Sequence, residues 1–317
     1  MLLKDVPSAQ NIEDAEERIH SYIHRTPVFT STQINDLLGL KVFFKAENLQ
    51  KVGAFKMRGA SNAVLSLTKD QLKKGVATHS SGNHAQALAL AAKMRKIPAY
   101  IVMPQNAPEV KVAAVQQYGA EVIFCDPTLE AREKTLKEVV DQTGATFVHP
   151  YDNYDVIAGQ ATVAREMIED TDHLDGIFAP IGGGGLMAGT LLSAKYFGKN
   201  VPVYGAEPLG ADDAFRSWKA GKIIPMEYPN TIADGLRTSV GQKNFPIIQK
   251  YISDIITVTD DEIIEAMRMI FQYLKLVVEP SGAVPFAALI KMKSKLKGKK
   301  AGVILTGGNV DLSKLPF

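Results

Sequence analysis

Cysteine is almost missing from this chain: Cys125 is the only one in 317 residues. A single thiol cannot close an internal bridge, which excludes a disulfide-stapled scaffold and suits a reducing, cytoplasmic setting. An excess of charge is missing too. The 36 lysines and arginines stand against 34 acids, and a formal net charge of +2 gives no reason to expect nucleic acid or another polyanion as partner. No uncharged apolar run of about 18 residues occurs, and Met1-Leu-Leu-Lys-Asp lacks the apolar core of a signal peptide, so no membrane association is expected. Repeats, low-complexity tracts and flexible linkers are also absent. What remains is 46% hydrophobic and 22% charged, ordinary globular composition in a chain long enough for two subdomains with their own cores.

Short β-branched runs alternate with longer helical patterns, which is how a parallel sheet covered by helices reads. Strands are expected at 76–79, 99–103, 121–125, 176–179, 201–204, 255–258 and 301–305. Helices are expected at 11–24, 83–96, 109–118, 128–143, 155–170, 185–196, 260–275 and 281–296, where apolar residues recur every three or four positions. The tight strand–helix rhythm from about 75 to 150 has the look of a small unit inserted in a larger one.

Five segments carry side chains or backbone suited to chemistry. Lys56 follows aromatic Phe55 and precedes a helix start; a partly desolvated lysine has a lowered pKa and can attack an aldehyde. Ser80-Ser81-Gly82-Asn83-His84 lies between a strand and a helix, where small residues leave N–H groups free to seat an anion such as a carboxylate. Gly182-Gly183-Gly184-Gly185-Leu186 follows a strand and opens a helix, a natural phosphate cradle. Thr306-Gly307-Gly308-Asn309 ends the last strand, where open α/β sheets bind ligands. Glu207 to Asp213 offers carboxylates and the Ala211 carbonyl to a hard cation. Each has a plain structural alternative: a solvated lysine, an N-cap, a glycine turn, an acidic loop. The loose pattern Gly183-x-Gly185-x-x-Ala188, with Glu207 about twenty residues on, also matches a dinucleotide fingerprint and leaves a nicotinamide-dependent oxidoreductase open. A non-catalytic ligand sensor stays open as well.

Taken in order, Gly53-Ala-Phe-Lys56-x-Arg-Gly-Ala60, Ser80-Ser-Gly-Asn-His84, Gly182 to Gly185 and Thr306-Gly-Gly-Asn309 resemble the serine racemase and serine/threonine dehydratase family of pyridoxal 5'-phosphate (PLP) enzymes. The resemblance spans nearly the whole chain. It implies the fold shared with the tryptophan synthase β subunit: two open, mostly parallel twisted sheets with helices on both faces. The large PLP-binding domain would comprise 1–70 and 153–317, and a small substrate-closing domain 71–152.

By position, the resemblance makes Lys56 the Schiff-base lysine, sets Phe55 against the cofactor ring and gives Asn83 the ring hydroxyl. Gly182, Gly183, Gly184, Gly185 and Leu186 would enclose the phosphate, and Thr306 would face the ring nitrogen. Ser80, Ser81, Asn83, His84, Arg132 and Thr238 would contact substrate, with Ser81 as the second acid–base group that racemisation requires. Glu207, Ala211 and Asp213 would hold Mg²⁺, Ca²⁺ or Mn²⁺. Lys51, Gln86, Tyr118, Lys275 and Asn309 resemble the nucleotide site of animal serine racemases, which implies ATP as an activator and a homodimer. The activity implied is serine racemisation with accompanying serine dehydration to pyruvate and ammonia. Dehydration of threonine, serine or 3-hydroxyaspartate without racemisation is the alternative. Two residues depart from the pattern: Ala54 replaces a frequent serine, and Thr238 stands where animal racemases have serine.

Overall fold

In the computed structural model, which describes residues 5–317, the strands in chain order are β1 (Val28–Phe29), β2 (Lys41–Ala46), β3 (Val76–His79), β4 (Ala99–Pro104), β5 (Glu121–Cys125), β6 (Thr146–Phe147), β7 (Gly176–Pro180), β8 (Val203–Pro208), β9 (Asp254–Val258) and β10 (Lys300–Leu305). They form two sheets. The larger has the order β1-β2-β10-β7-β8-β9, parallel except for the antiparallel edge strand β1. The smaller, β5-β4-β3-β6, is parallel throughout and comes from one uninterrupted stretch of chain between β2 and β7.

The central strands of both sheets are buried on both faces, which is why they read as near-continuous apolar runs. In β7, Phe178 joins the core on one side, with Phe44 and Phe286, while Ile177 and Ala179 join the other. In β10, Val303 and Leu305 face the first core and Ile304 the second. Phe44 and Phe286 meet edge to face with centroids 5.1 Å apart. Each fully buried phenyl ring contributes about 1.5–3 kcal/mol by leaving water. The small sheet alternates in the same way, with Val76 and Ile101 on one side and Ala77 and Val102 on the other.

The helices Lys56–Leu65 and Tyr154–Glu169 cross at glycine, and this crossing sets where Lys56 lies. A Cβ on Gly159 would sit 2.7 Å from the Gly59 Cα and 2.7 Å from the Arg58 carbonyl, so only glycine lets these backbones touch. Beside the crossing is a buried ion network. Arg58 grips Glu47 through Nε and Nη2, both at 2.8 Å, and Glu166 through Nη1 and Nη2 at 2.7 and 2.8 Å. Lys45 Nζ completes it, 2.6 Å from Glu166.

The element ends differ in places from the sequence expectations. The first helix stops at Ile19 rather than 24, β8 starts at Val203 and runs to Pro208, and the helix expected over 260–275 turns into a π-helical turn at Ile270–Leu274. The last expected helix ends at Met292 and tightens into a 3-10 turn, Lys293–Leu296. At the three helices the apolar spacing continues past the point where the hydrogen-bond pattern changes. Strand β2 escapes the apolar-run criterion because Lys45 stands inside it, fully buried against Glu166.

Candidate active site

Lys56 opens its helix directly beside the loop that leaves β10. The Phe55 N–H donates to the Thr306 carbonyl at 3.0 Å, and Ala54 bridges to Gly307. The half-buried Lys56 places Nζ 2.8 Å from the Pro150 carbonyl and 5.1 Å from the centroid of the Phe55 ring. Among the described residues it has no carboxylate within ion-pair distance. Desolvation lowers its pKa to about 8, partly offset by the more distant charge of Glu279. The neutral, nucleophilic fraction near neutral pH is therefore a minority, but far larger than in an ordinary lysine.

The glycine loop lies at the N-terminus of the buried helix Gly185–Tyr196. Gly184 has φ +87°, a left-handed conformation that glycine adopts without strain. The Gly183 carbonyl accepts from the Gly241 N–H at 3.0 Å and from Asn244 Nδ2 at 2.7 Å. In a trans peptide the Gly184 N–H points the opposite way, so this pair of donors turns it away from their side. With the helix N-terminus behind it, the loop is built for an anion. Leu186 is 5% exposed and closes its base.

On the small-sheet side, Ser80 and Ser81 follow β3, and Asn83 and His84 begin the helix Asn83–Arg95. Ser80 Oγ accepts from the Gly82 N–H at 3.3 Å, whereas Ser81 makes no side-chain hydrogen bond among the described residues. His84 is buried and donates through Nε2 to the Val148 carbonyl at 3.1 Å. Its Nδ1 has no partner, and burial drops its pKa to about 3, so the ring is a neutral acceptor. Arg132 has a buried, unpartnered Nε, and its charge bears on His79 at the end of β3. Thr238 Oγ1 lies 3.0 Å from the Tyr151 hydroxyl, and Tyr151 packs across Gly183. Lys56, Phe55, Thr306, the glycine loop and Thr238 are thus joined through Pro150, Tyr151 and one strand end. Asn83 joins them through Glu279.

Glu279, Tyr151 and Asn244 are functional candidates that sequence reasoning missed. Glu279 is 6% exposed, accepts from Asn83 Nδ2 at 2.9 Å and is raised to about 7 by burial, with Asp234 adding to the rise and Lys111 opposing it. A lone Glu-Pro before a helix gives no motif, so the signal in the sequence was only an acid in an otherwise apolar run.

At the end of β8, Glu207 is buried with its carboxyl pushed well above the usual range by burial and by nearby Asp213. Its oxygens accept from the Ala214 and Phe215 N–H groups at 3.2 and 2.7 Å. That role as a helix cap turns Glu207 away from any ribose, against the dinucleotide reading. Asp213, raised to about 6 chiefly by burial, accepts from the Val240 N–H through Oδ2 but leaves Oδ1 buried and unpartnered. Ala211 is fully buried in the turn between them. No group of three or more His, Cys, Asp or Glu side chains converges among the described residues, so a cation here would rely on backbone carbonyls and water besides the two carboxylates.

Of the five expected nucleotide contacts, Asn309 bonds both Asn83 Oδ1 and the carbonyl of Val52, next to Lys51. Gln86 follows Asn83 by one turn, and Tyr118 packs on the same core cluster as Val52. Lys275 caps the π-helical turn at φ +59°.

A family profile described as "Pyridoxal-phosphate dependent enzyme" matches residues 19–307, and the chain belongs to that family. It is 50% identical over 311 residues to a serine racemase of Dictyostelium discoideum, with 96% of each chain covered. It is 48% identical over 312 residues to a β-hydroxyaspartate dehydratase of Paracoccus denitrificans, covering 98% of this chain and 99% of that one. The structure of maize serine racemase superposes with a TM-score of 0.95 at 47% identity, covering 97% and 95% of the two chains. The protein is therefore a PLP-dependent enzyme with the tryptophan synthase β-like fold, and the dinucleotide and sensor readings fall. Its residues fit the cofactor: among the described residues, an amine without a counter-ion and a glycine loop whose Gly182, Gly183 and Gly184 N–H groups have no partner lie close to a strand-end threonine.

Proposed function

We propose that the protein is a serine racemase with L-serine and D-serine dehydratase activity. When bound, PLP supplies an aldehyde for imine exchange and an electron sink for the α-carbanion. Lys56 holds it covalently, and the amine freed by substrate takes the α-proton from one face. Ser81 returns or removes a proton at the other face. Asn83 holds the ring hydroxyl, Phe55 the ring face, Thr306 the ring nitrogen, and residues Gly182 to Leu186 the phosphate. A neutral hydroxyl at the nitrogen draws less charge into the ring than a carboxylate would, which favours elimination and reprotonation over transamination. Ser80, Asn83, His84, Arg132 and Thr238 position the substrate. Loss of the β-hydroxyl as water, followed by hydrolysis, yields pyruvate and ammonia.

The observation that carries this reading is the Lys56 amine, whose pKa burial lowers, together with the unengaged Ser81 hydroxyl. The test is product analysis on L-serine. Both D-serine and pyruvate are expected, and Ser81→Ala should lose racemisation while keeping much of the elimination; an enzyme that makes pyruvate but no D-serine overturns the racemase assignment. One observation favours a second reading. The unpaired Arg132 guanidinium suits a second carboxylate, and the Paracoccus relative is a β-hydroxyaspartate dehydratase.

The unpartnered Asp213 oxygen beside Glu207 and Ala211 fits a divalent cation, Mg²⁺ by preference, which would relieve both raised carboxyls. Lys51, Gln86, Tyr118, Lys275 and Asn309 form the proposed ATP site of a cytoplasmic homodimer. Residues 71–152 would close as a unit over the substrate, against 1–70 and 153–317. No helix among the described residues is long and apolar enough to cross a membrane.

A further inference from the structure

The Asn83 carboxamide is gripped on two sides, and on one of them the hydrogen-bonding roles cannot be exchanged. Asn309 Nδ2 donates to the Val52 carbonyl at 2.7 Å and to Asn83 Oδ1 at 2.9 Å. A carbonyl only accepts, so the Val52 contact fixes which end of Asn309 is nitrogen, and that nitrogen requires oxygen from Asn83. On the other flank Asn83 Nδ2 donates to Glu279 Oε1 at 2.9 Å, an oxygen that only accepts once the carboxyl, raised to about 7, is ionised. A flipped Asn83 would set nitrogen against nitrogen at Asn309 and, with Glu279 ionised, oxygen against oxygen. With Oδ1 turned toward Asn309 and one N–H given to Glu279, the second N–H is the donor Asn83 has left to offer.

The two grips are rigid. Glu279 is bound by its own N–H to the Gly307 carbonyl at 3.0 Å, and a Cβ at Gly307 would lie 2.6 Å from Glu279 Oε1. Val52, which aims the carbonyl that orients Asn309, has φ +57°, a left-handed conformation that a β-branched residue adopts only under constraint. The Gly308 N–H to Gly53 carbonyl bond at 2.9 Å holds that strained turn against the strand-end loop.

We propose that Glu279 and Asn309 are positioning residues that lock Asn83 as a hydrogen-bond donor to the ring oxygen of PLP, so that this oxygen meets an N–H and never the amide carbonyl. The inference rests on the assignment of Asn83 to the ring hydroxyl given above. A donor there favours the ionised oxygen, and an acceptor opposes it.

The readout is the visible absorption of the bound cofactor titrated against pH, which reports the ring oxygen's ionisation whether or not the enzyme turns over. Asn309→Asp places an acceptor against both the Val52 carbonyl and Asn83 Oδ1. Its side chain is exposed, so folding should be kept. Glu279→Leu removes the acceptor on the other flank, and Glu279→Gln, which can still accept, is the conservative rescue. Asn309→Asp and Glu279→Leu should each raise the titration midpoint by about one pH unit, the size expected for one lost hydrogen bond to a charged atom. Glu279→Gln should restore it, and Asn83→Ala should move it in the same direction as the first two. If Asn83→Ala shifts the midpoint but Asn309→Asp leaves it unchanged, the lock is overturned while Asn83 keeps its place. If Asn83→Ala is also silent, the assignment of Asn83 fails and the lock fails with it.

Discussion

At Arg58 each buried charge has an opposite charge within hydrogen-bond distance; at Lys56, two residues earlier on the same helix, the amine has only a carbonyl. Lys45, Glu47, Arg58 and Glu166 form a neutral set of two cations and two carboxylates, each within 3% of full burial. Desolvation of these four charges is offset by their mutual attraction and close hydrogen bonds. Lys56 has no such compensation, and its pKa falls instead. Charges that serve the fold are paired, and the charge that serves the chemistry is kept without a partner, at a cost to stability. Glu279, raised to about 7 without a cation beside it, belongs to the second kind.

The contrast breaks most sharply if Lys56 is replaced. Lys56→Met should reduce turnover by about a thousandfold or more, as expected for loss of a covalent and general-base group. The same change should stabilise the cofactor-free protein. The folded-state pKa of about 8 lies below the ordinary 10.5, so the unfolded chain binds more protons between these values and wild-type stability rises with pH across that window. Below pH 8 the whole penalty is present. Urea melts at pH 7 should favour Lys56→Met by about 1–3 kcal/mol, after allowance for the partial exposure of the lysine, and the gap should close as pH approaches 10.5. A variant no more stable than wild type at pH 7 would place Lys56 with the structural charges.

Arg58→Ala tests the other half. It leaves Glu47 and Glu166 buried without their main partner, so the urea midpoint should fall by the equivalent of about 3–5 kcal/mol. A loss under about 1 kcal/mol would mean that water replaces the guanidinium at no cost, and the two regions would not differ as described.

The same distinction explains what the sequence made legible. Lys56, the glycine loop and the strand-end Thr306 stand in local patterns, because a phosphate cradle and a strand-to-helix turn are built from neighbouring residues. The buried alternation of β7 and β10 was likewise visible as apolar runs. Pairing across long separations leaves no such trace. Arg58 meets Glu166 across 108 positions and Asn83 meets Glu279 across 196. Lys45 reads as a reason to deny a strand until its partner is known. Tyr151 and Asn244 reach the glycine loop only because segments far apart in the chain close over it.

The smallest expected effect belongs to a charge pair of neither kind. Lys111 Nζ lies 3.1 Å from Asp234 Oδ2 and joins the helix Glu109–Gln117, beside the small sheet, to the turn Asp234–Leu236 beside the large one. Both side chains are substantially exposed, so water and salt screen the attraction that burial would strengthen. Lys111→Met should therefore change global stability by less than about 1 kcal/mol, and the difference should vanish in high salt. If residues 71–152 close as a unit, the pair contributes to the closed arrangement, and its loss should raise KM for the amino acid by up to about fivefold, the equivalent of that same 1 kcal/mol. A much larger fall in the urea midpoint would show that the two sheets are held together by this contact as firmly as the helix crossing at Gly59 and Gly159 holds the large core, and closure as a unit would then be excluded.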